Sequence, residues 1–151
     1  MAIIRLFGLY FMLTLLMMIV GFVAAGSSNG IIIFAIIGLI INVYSYFYSD
    51  SIVLRAYGAK IIERQDSPRL YGIVKKISDL NGLPVPRIAI VSSSTPNAFA
   101  TGRNPKNAVV AATTGIMSVL DDNELEGVMA HEMAHVKNRD TLVMCVAATI
   151  A

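Results

Sequence analysis

The sequence predicts an α+β membrane protein, with an N-terminal transmembrane helical hairpin followed by a domain made of a small sheet and a long helix. Three observations predict it. Residues 3–25 and 31–48 are two nearly unbroken apolar runs. Between residues 67 and 120, stretches with helical periodicity and stretches with strand character follow one another, punctuated by proline and glycine. Beyond them, His131-Glu132-Met133-Ala134-His135 falls inside a segment of helical pattern.

The hairpin accounts for the composition. Hydrophobic residues make up 56% of the 151 residues and charged residues only 15%, against about 25% charged in ordinary globular chains. Residues 3–25 are interrupted by Arg5 and Thr14, and residues 31–48 carry Asn42 and Ser45 as polar members. A bilayer crossing takes roughly 20 apolar residues; the first run exceeds this and the second just reaches it. The hydrophobic region of a cleavable signal is about 7–15 residues, and here a longer run is followed at once by another. Two core helices of a soluble protein would each show a polar face. Residues 26–30, Gly-Ser-Ser-Asn-Gly, supply the turn, and Tyr44, Tyr46, Phe47 and Tyr48 close the second span as an aromatic belt does. The connecting loop is uncharged, whereas Arg5 precedes it and Arg55, Lys60 and Arg64 follow the second span. The excess of cations on the cytoplasmic side then puts the N-terminus and everything after Asp50 in the cytoplasm.

Residues 51–60 are expected to continue as a short helix leaving the bilayer. Ser67-Pro68 starts the next helix. Leu70, Tyr71, Ile73, Val74, Ile77 and Leu80 give its apolar spacing, and Asn81-Gly82 ends it. Residues 87–91, 99–101 and 108–112 read as strands, with residues 102–107 joining the last two as a hairpin. Residues 115–120 form a short helical turn. An exposed edge of such a sheet can grip an extended peptide through backbone hydrogen bonds; equally, the sheet could only cover the next helix.

That helix carries the chemistry. Asp121 with Glu124 makes an N-cap and capping-box partner, and Leu125, Val128 and Met129 give its apolar stripe. Residues four apart share a helix face, so His131 and His135, the only two histidines, can present their imidazoles to one zinc ion. Glu132, beside them, is placed to act as general base on a water. The bland alternative is a surface helix with two unrelated histidines and a solvated glutamate. A catalytic zinc usually takes three protein ligands. The extended pattern with a glycine and a third histidine is excluded, because Asn138 and Thr141 stand at those positions. Glu124 is two turns from His131, about 10 Å along the axis. Asp140 falls off the histidine face, and Glu63 could approach only through tertiary folding. The third ligand, a carboxylate, is therefore expected beyond Ala151.

With these features in place, the chain resembles the HtpX family of membrane-anchored zinc metalloproteases. The resemblance rests on the two spans, on Pro96-Asn97-Ala98-Phe99-Ala100-Thr101-Gly102, and on the histidine motif followed by Asn138-Arg139-Asp140. It implies a zincin-like metalloprotease domain, with residues 1–50 as the hairpin and residues 51–151 as the N-terminal part of a cytoplasmic catalytic domain. That part is expected to stop short of the whole, at the start of a further hydrophobic segment. The resemblance makes His131 and His135 ligands of one Zn2+ per complete protein and Glu132 the catalytic base. It puts Asn97, Ala98 and Phe99 on the substrate-binding edge, with backbone groups of Asn97 and Ala98 meeting the peptide. Asp140 becomes an acceptor for the ring N–H of a zinc-bound histidine, or else a structural partner of Arg139. Family members look like heat-shock-induced endopeptidases of the prokaryotic plasma membrane that degrade damaged membrane proteins.

The expected partners are therefore polypeptide substrates and the lipid bilayer. With a net charge of +2 and spread cations, no patch suggests nucleic acid. The single Cys145 cannot form an internal disulfide, which suits a reducing compartment. The competing class is a non-catalytic membrane protein with a degenerate metal site that binds partners through its sheet. Zinc transport is disfavoured, since no further histidines or acids line the spans.

Overall fold

A computed structural model describes residues 2–138, which fall into two compact units divided between Tyr48 and Ser49. The first unit holds helix α1 (Ala2–Ala25) and most of α2 (Ser28–Ala56), whose end from Ser49 onward belongs to the second. Phe7–Ala25 and Ser28–Tyr48 are each long and apolar enough to cross a membrane. Their large apolar side chains, Leu16, Ile19, Phe22, Ile33 and Leu39 among them, are exposed. Soluble proteins rarely leave so much contiguous apolar surface in water.

The hairpin turn is tighter than residues 26–30. Only Gly26 and Ser27 lie outside the helices, with Gly26 at φ +58. The two helices meet at Gly21 and Gly30. A Cβ at Gly21 would lie 2.4 Å from the Gly30 carbonyl oxygen, and one at Gly30 would lie 2.2 Å from that of Gly21. The polar interruptions of the two runs also meet. The buried Asn42 amide donates to Thr14 Oγ1 (2.9 Å) and to the Tyr10 carbonyl (3.1 Å). Such interhelical bonds contribute about 0.6 kcal/mol on average.

The second unit is built on a four-stranded sheet. Strands β1 (Lys60–Ile62), β2 (Arg87–Val91), β3 (Ala98–Thr101) and β4 (Val109–Thr113) lie in the order β1-β2-β4-β3. The β2–β4 pair is parallel and the other two are antiparallel. Alternation along the strands gives the sheet two faces. Ile88, Ala98, Ala100, Val110 and Ala112 point to a core shared with α3 (Pro68–Asn81), α4 (Thr114–Val119) and α5 (Asp122–Asn138). Ala89, Phe99, Val109 and Ala111 point the other way, toward Leu54 and Ala59. Leu70, Val74 and Ile77 of α3 face Leu125, Met129, Met133 and Val136 of α5 across the larger core.

Two local expectations need correction. The helix expected to continue over residues 51–60 does so only in part: α2 runs on to Ala56 and stops at Gly58, at φ +60. There Ala59 N–H bonds the Leu54 carbonyl and Gly58 N–H that of Arg55, the double closure of a glycine-ended helix. The chain freed by that turn forms β1, a strand the sequence reading omits. Strand β4 lies one residue later than residues 108–112, because its last residue, Thr113, is held by the segment that precedes β3. The helix over residues 68–81 stands as expected, closed by Gly82 at φ +62. The β3–β4 hairpin also stands, its connection containing a 3₁₀ turn, Pro105–Asn107, capped by Asn104. Arg139, Asp140, Cys145 and the apolar segment from Thr141 lie outside the described residues.

Candidate active site

Helix α5 is started by reciprocal caps. The Asp121 carboxylate accepts from the N–H groups of Asn123 (2.8 Å) and Glu124 (2.9 Å), while the Glu124 carboxylate accepts from Asp121 N–H (2.9 Å). This is the capping box read from the sequence. Arg69 of α3 secures the same junction. Its guanidinium donates to the carbonyls of Met117 and Leu120 and to Asp122 Oδ1, at 2.7, 2.7 and 2.6 Å. Arg69 thereby satisfies end carbonyls of α4 that the helix itself cannot. Sequence reasoning gave Arg69 no role, since its partners lie about fifty residues away.

The rotation of α5 is fixed by its buried stripe. Leu125, Met129, Met133 and Val136 are each no more than 2% exposed and pack on α3 and the sheet. At about 100° per residue, this leaves His131 and His135 on a flank, the first exposed and the second half-buried. Glu132, half-buried, falls between the histidines and the stripe. The two rings stand edge to face, with centroids 4.8 Å apart, and the two Nε2 atoms are 3.3 Å apart. Two zinc–nitrogen bonds of about 2.0–2.1 Å at a tetrahedral angle span roughly 3.3–3.4 Å between nitrogens. The separation of the two Nε2 atoms therefore equals that span.

Among the described residues, no third histidine, cysteine, aspartate or glutamate joins this pair. Glu124 is engaged with Asp121, and Glu63 lies in a local turn with Gln65. Asp140 lies outside the described residues.

The strand at residues 98–101 is an edge strand: among the described residues, none pairs beyond β3. Its register decides which groups face outward. Thr113 N–H donates to the Asn97 carbonyl (2.9 Å), and Asn97 N–H donates to Thr113 Oγ1 (2.9 Å). The main-chain N–H and C=O of Asn97 are therefore both turned inward and engaged by Thr113. Hydrogen-bonded pairs alternate in an antiparallel ladder, so the register Phe99↔Ala111 and Thr101↔Val109 continues the inward set. Ala98 and Ala100 carry the N–H and C=O groups that point away from β4. Their side chains lie on the α5 face, and α5 packs along this strand. Phe99 lies on the opposite face, its ring 4.7 Å from that of Tyr57.

Thr113 is a residue that sequence reasoning missed. Its hydroxyl accepts from the N–H of Asn97 and of Ile116, and it contacts the carbonyls of Thr95 (2.9 Å) and Asn97 (3.1 Å). One buried side chain thus both caps α4 and anchors the start of the edge strand. A signal was present, a threonine immediately before a short helix. Gly115, two residues on, lets the loop before β3 close over it, since a Cβ there would lie 2.2 Å from the Ser94 carbonyl oxygen.

Comparison with known proteins adds a family. The profile of peptidase family M48 matches residues 64–151. The chain is 51% identical over 139 residues to a protease HtpX homolog of Thermococcus sibiricus, covering 92% of this chain and 47% of that protein. It is 50% identical over 128 residues to one from Syntrophobacter fumaroxidans, covering 85% and 45%. It is 49% identical over 139 residues to one from Pyrococcus furiosus, covering 92% and 48%. The chain spans about half the length of the curated relatives it matches.

Proposed function

The chain belongs to peptidase family M48, in its HtpX branch, and from that membership we propose that it is part of a membrane-bound, zinc-dependent endopeptidase. The observation that carries the metal assignment is the 3.3 Å separation of the two Nε2 atoms, the span of a tetrahedral zinc pair. In this reading His131 and His135 hold the ion through Nε2, and a third ligand comes from outside the described residues. Zinc, when bound there, supplies a Lewis acid that polarises a peptide carbonyl and makes water a nucleophile at neutral pH.

The remaining work falls to this chain's own groups. The substrate lies extended along β3, with its backbone bonded to the outward N–H and C=O groups of Ala98 and Ala100. Asn97 and Phe99 take part differently. The first sets the strand's register through Thr113, and the second presents its side chain on the far face. The Glu132 carboxylate accepts the proton of the attacking water and returns it to the leaving nitrogen as the peptide bond breaks. A grip through main-chain groups tolerates many sequences, which suits removal of damaged membrane proteins on the cytoplasmic side.

The test is metal removal from the complete protein in detergent. Chelation should stop peptide cleavage, and stoichiometric zinc should restore it. Cleavage that survives exhaustive chelation would refute the reading.

A further inference from the structure

We propose that the outer face of the edge strand is a side-chain subsite, formed by Phe99 and Tyr57, that selects a large apolar or aromatic residue in the bound substrate. The proposal rests on the peptidase reading above and adds a specificity that backbone pairing does not supply.

Side chains alternate between the two faces of a sheet along every strand. A strand paired with β3 has its side chains on the same two faces as the sheet it joins, whichever direction it runs. Substrate residues opposite Ala98 and Ala100 point to the α5 face, where β3 contributes only methyl groups. The residue opposite Phe99 points to the other face. There β3 contributes its one large side chain, and Tyr57 widens it. The two rings are 4.7 Å apart and tilted by 35°, over a floor of Leu54, Ala89, Val109 and Ala111. Tyr57 is 52% exposed, and so has ring surface left to cover. A preference contributed by the one large side chain of β3 therefore arises at this one substrate position. Cross-strand pairs with aromatic partners are worth about a 1.4- to fivefold preference over alanine.

The experiment uses the complete zinc-loaded protein in detergent. Its substrates are fluorogenic peptides differing at a single position, stepped along the sequence, with Phe, Leu, Ala or Asp there. The expected result is one position at which kcat/KM favours Phe and Leu over Ala by about 1.4- to fivefold, with Asp poorer still. In Tyr57→Ala that ratio should fall toward one, and in Tyr57→Phe it should persist. Phe99→Leu, which keeps an apolar strand residue, should lower the preference for Phe at the same position and at no other. A flat preference at every position would overturn the proposal, as would a preference that both Tyr57→Ala and Phe99→Leu leave intact. Failure of wild type to cleave any peptide would instead sink the peptidase reading, and the subsite with it.

Discussion

Thr113→Val is nearly isosteric and removes a single hydroxyl from a position 4% exposed. That hydroxyl holds the N–H groups of Asn97 (2.9 Å) and Ile116 (3.2 Å), and the valine leaves both without a partner. Loss of the cap on α4 costs about 1 kcal/mol. An amide left unsatisfied at Asn97 costs about 1–3 kcal/mol. The sum, about 2–4 kcal/mol, corresponds to a fall in midpoint of roughly 10–20 °C for a folding unit of this size. Thr113→Ser keeps the hydroxyl and should lose no more than about 1 kcal/mol, the transfer of one methyl group. Thermal unfolding of the complete protein in detergent compares the two. Amide exchange at Asn97 should also accelerate in the valine variant, because the anchored end of β3 is released. A valine variant as stable as the serine one would refute the assignment of Thr113 as the anchor of the edge strand.

Two further substitutions test the framework around the site. Gly102 sits at φ +126, and a Cβ there would lie 2.4 Å from the Asn107 carbonyl oxygen. Gly102→Ala should therefore destabilise the protein by about 1–3 kcal/mol in a thermal melt, and wild-type stability would contradict the geometry. Asp121→Ala should cost about 1 kcal/mol through loss of the cap on α5, whereas Asp121→Asn should keep most of it. Equal losses in the two variants would show that charge rather than capping matters at that position.

The histidine pair was legible because its geometry is local. Residues four apart on a helix meet whatever surrounds them, and Asp121 and Glu124 announce that helix. The same holds for residues 67–82, where Ser67-Pro68 and Asn81-Gly82 mark both ends. The apolar spans could be read from run length alone. Strand β1 could not, because three residues show no alternation; it exists by pairing with the free edge of β2. Nor could the outward register of β3, because Asn97 is turned inward by Thr113, sixteen residues away. Arg69 illustrates the same limit, since its three acceptors lie about fifty residues further along the chain.

In the proposed mechanism Glu132 acts as the base of a zinc site held by His131 and His135. Glu132→Gln in the complete protein, assayed together for bound zinc and for peptide cleavage, tests it most directly. One zinc ion per chain should remain while cleavage falls by about 10²–10⁴-fold. Cleavage at the wild-type rate, with zinc still bound, would contradict it.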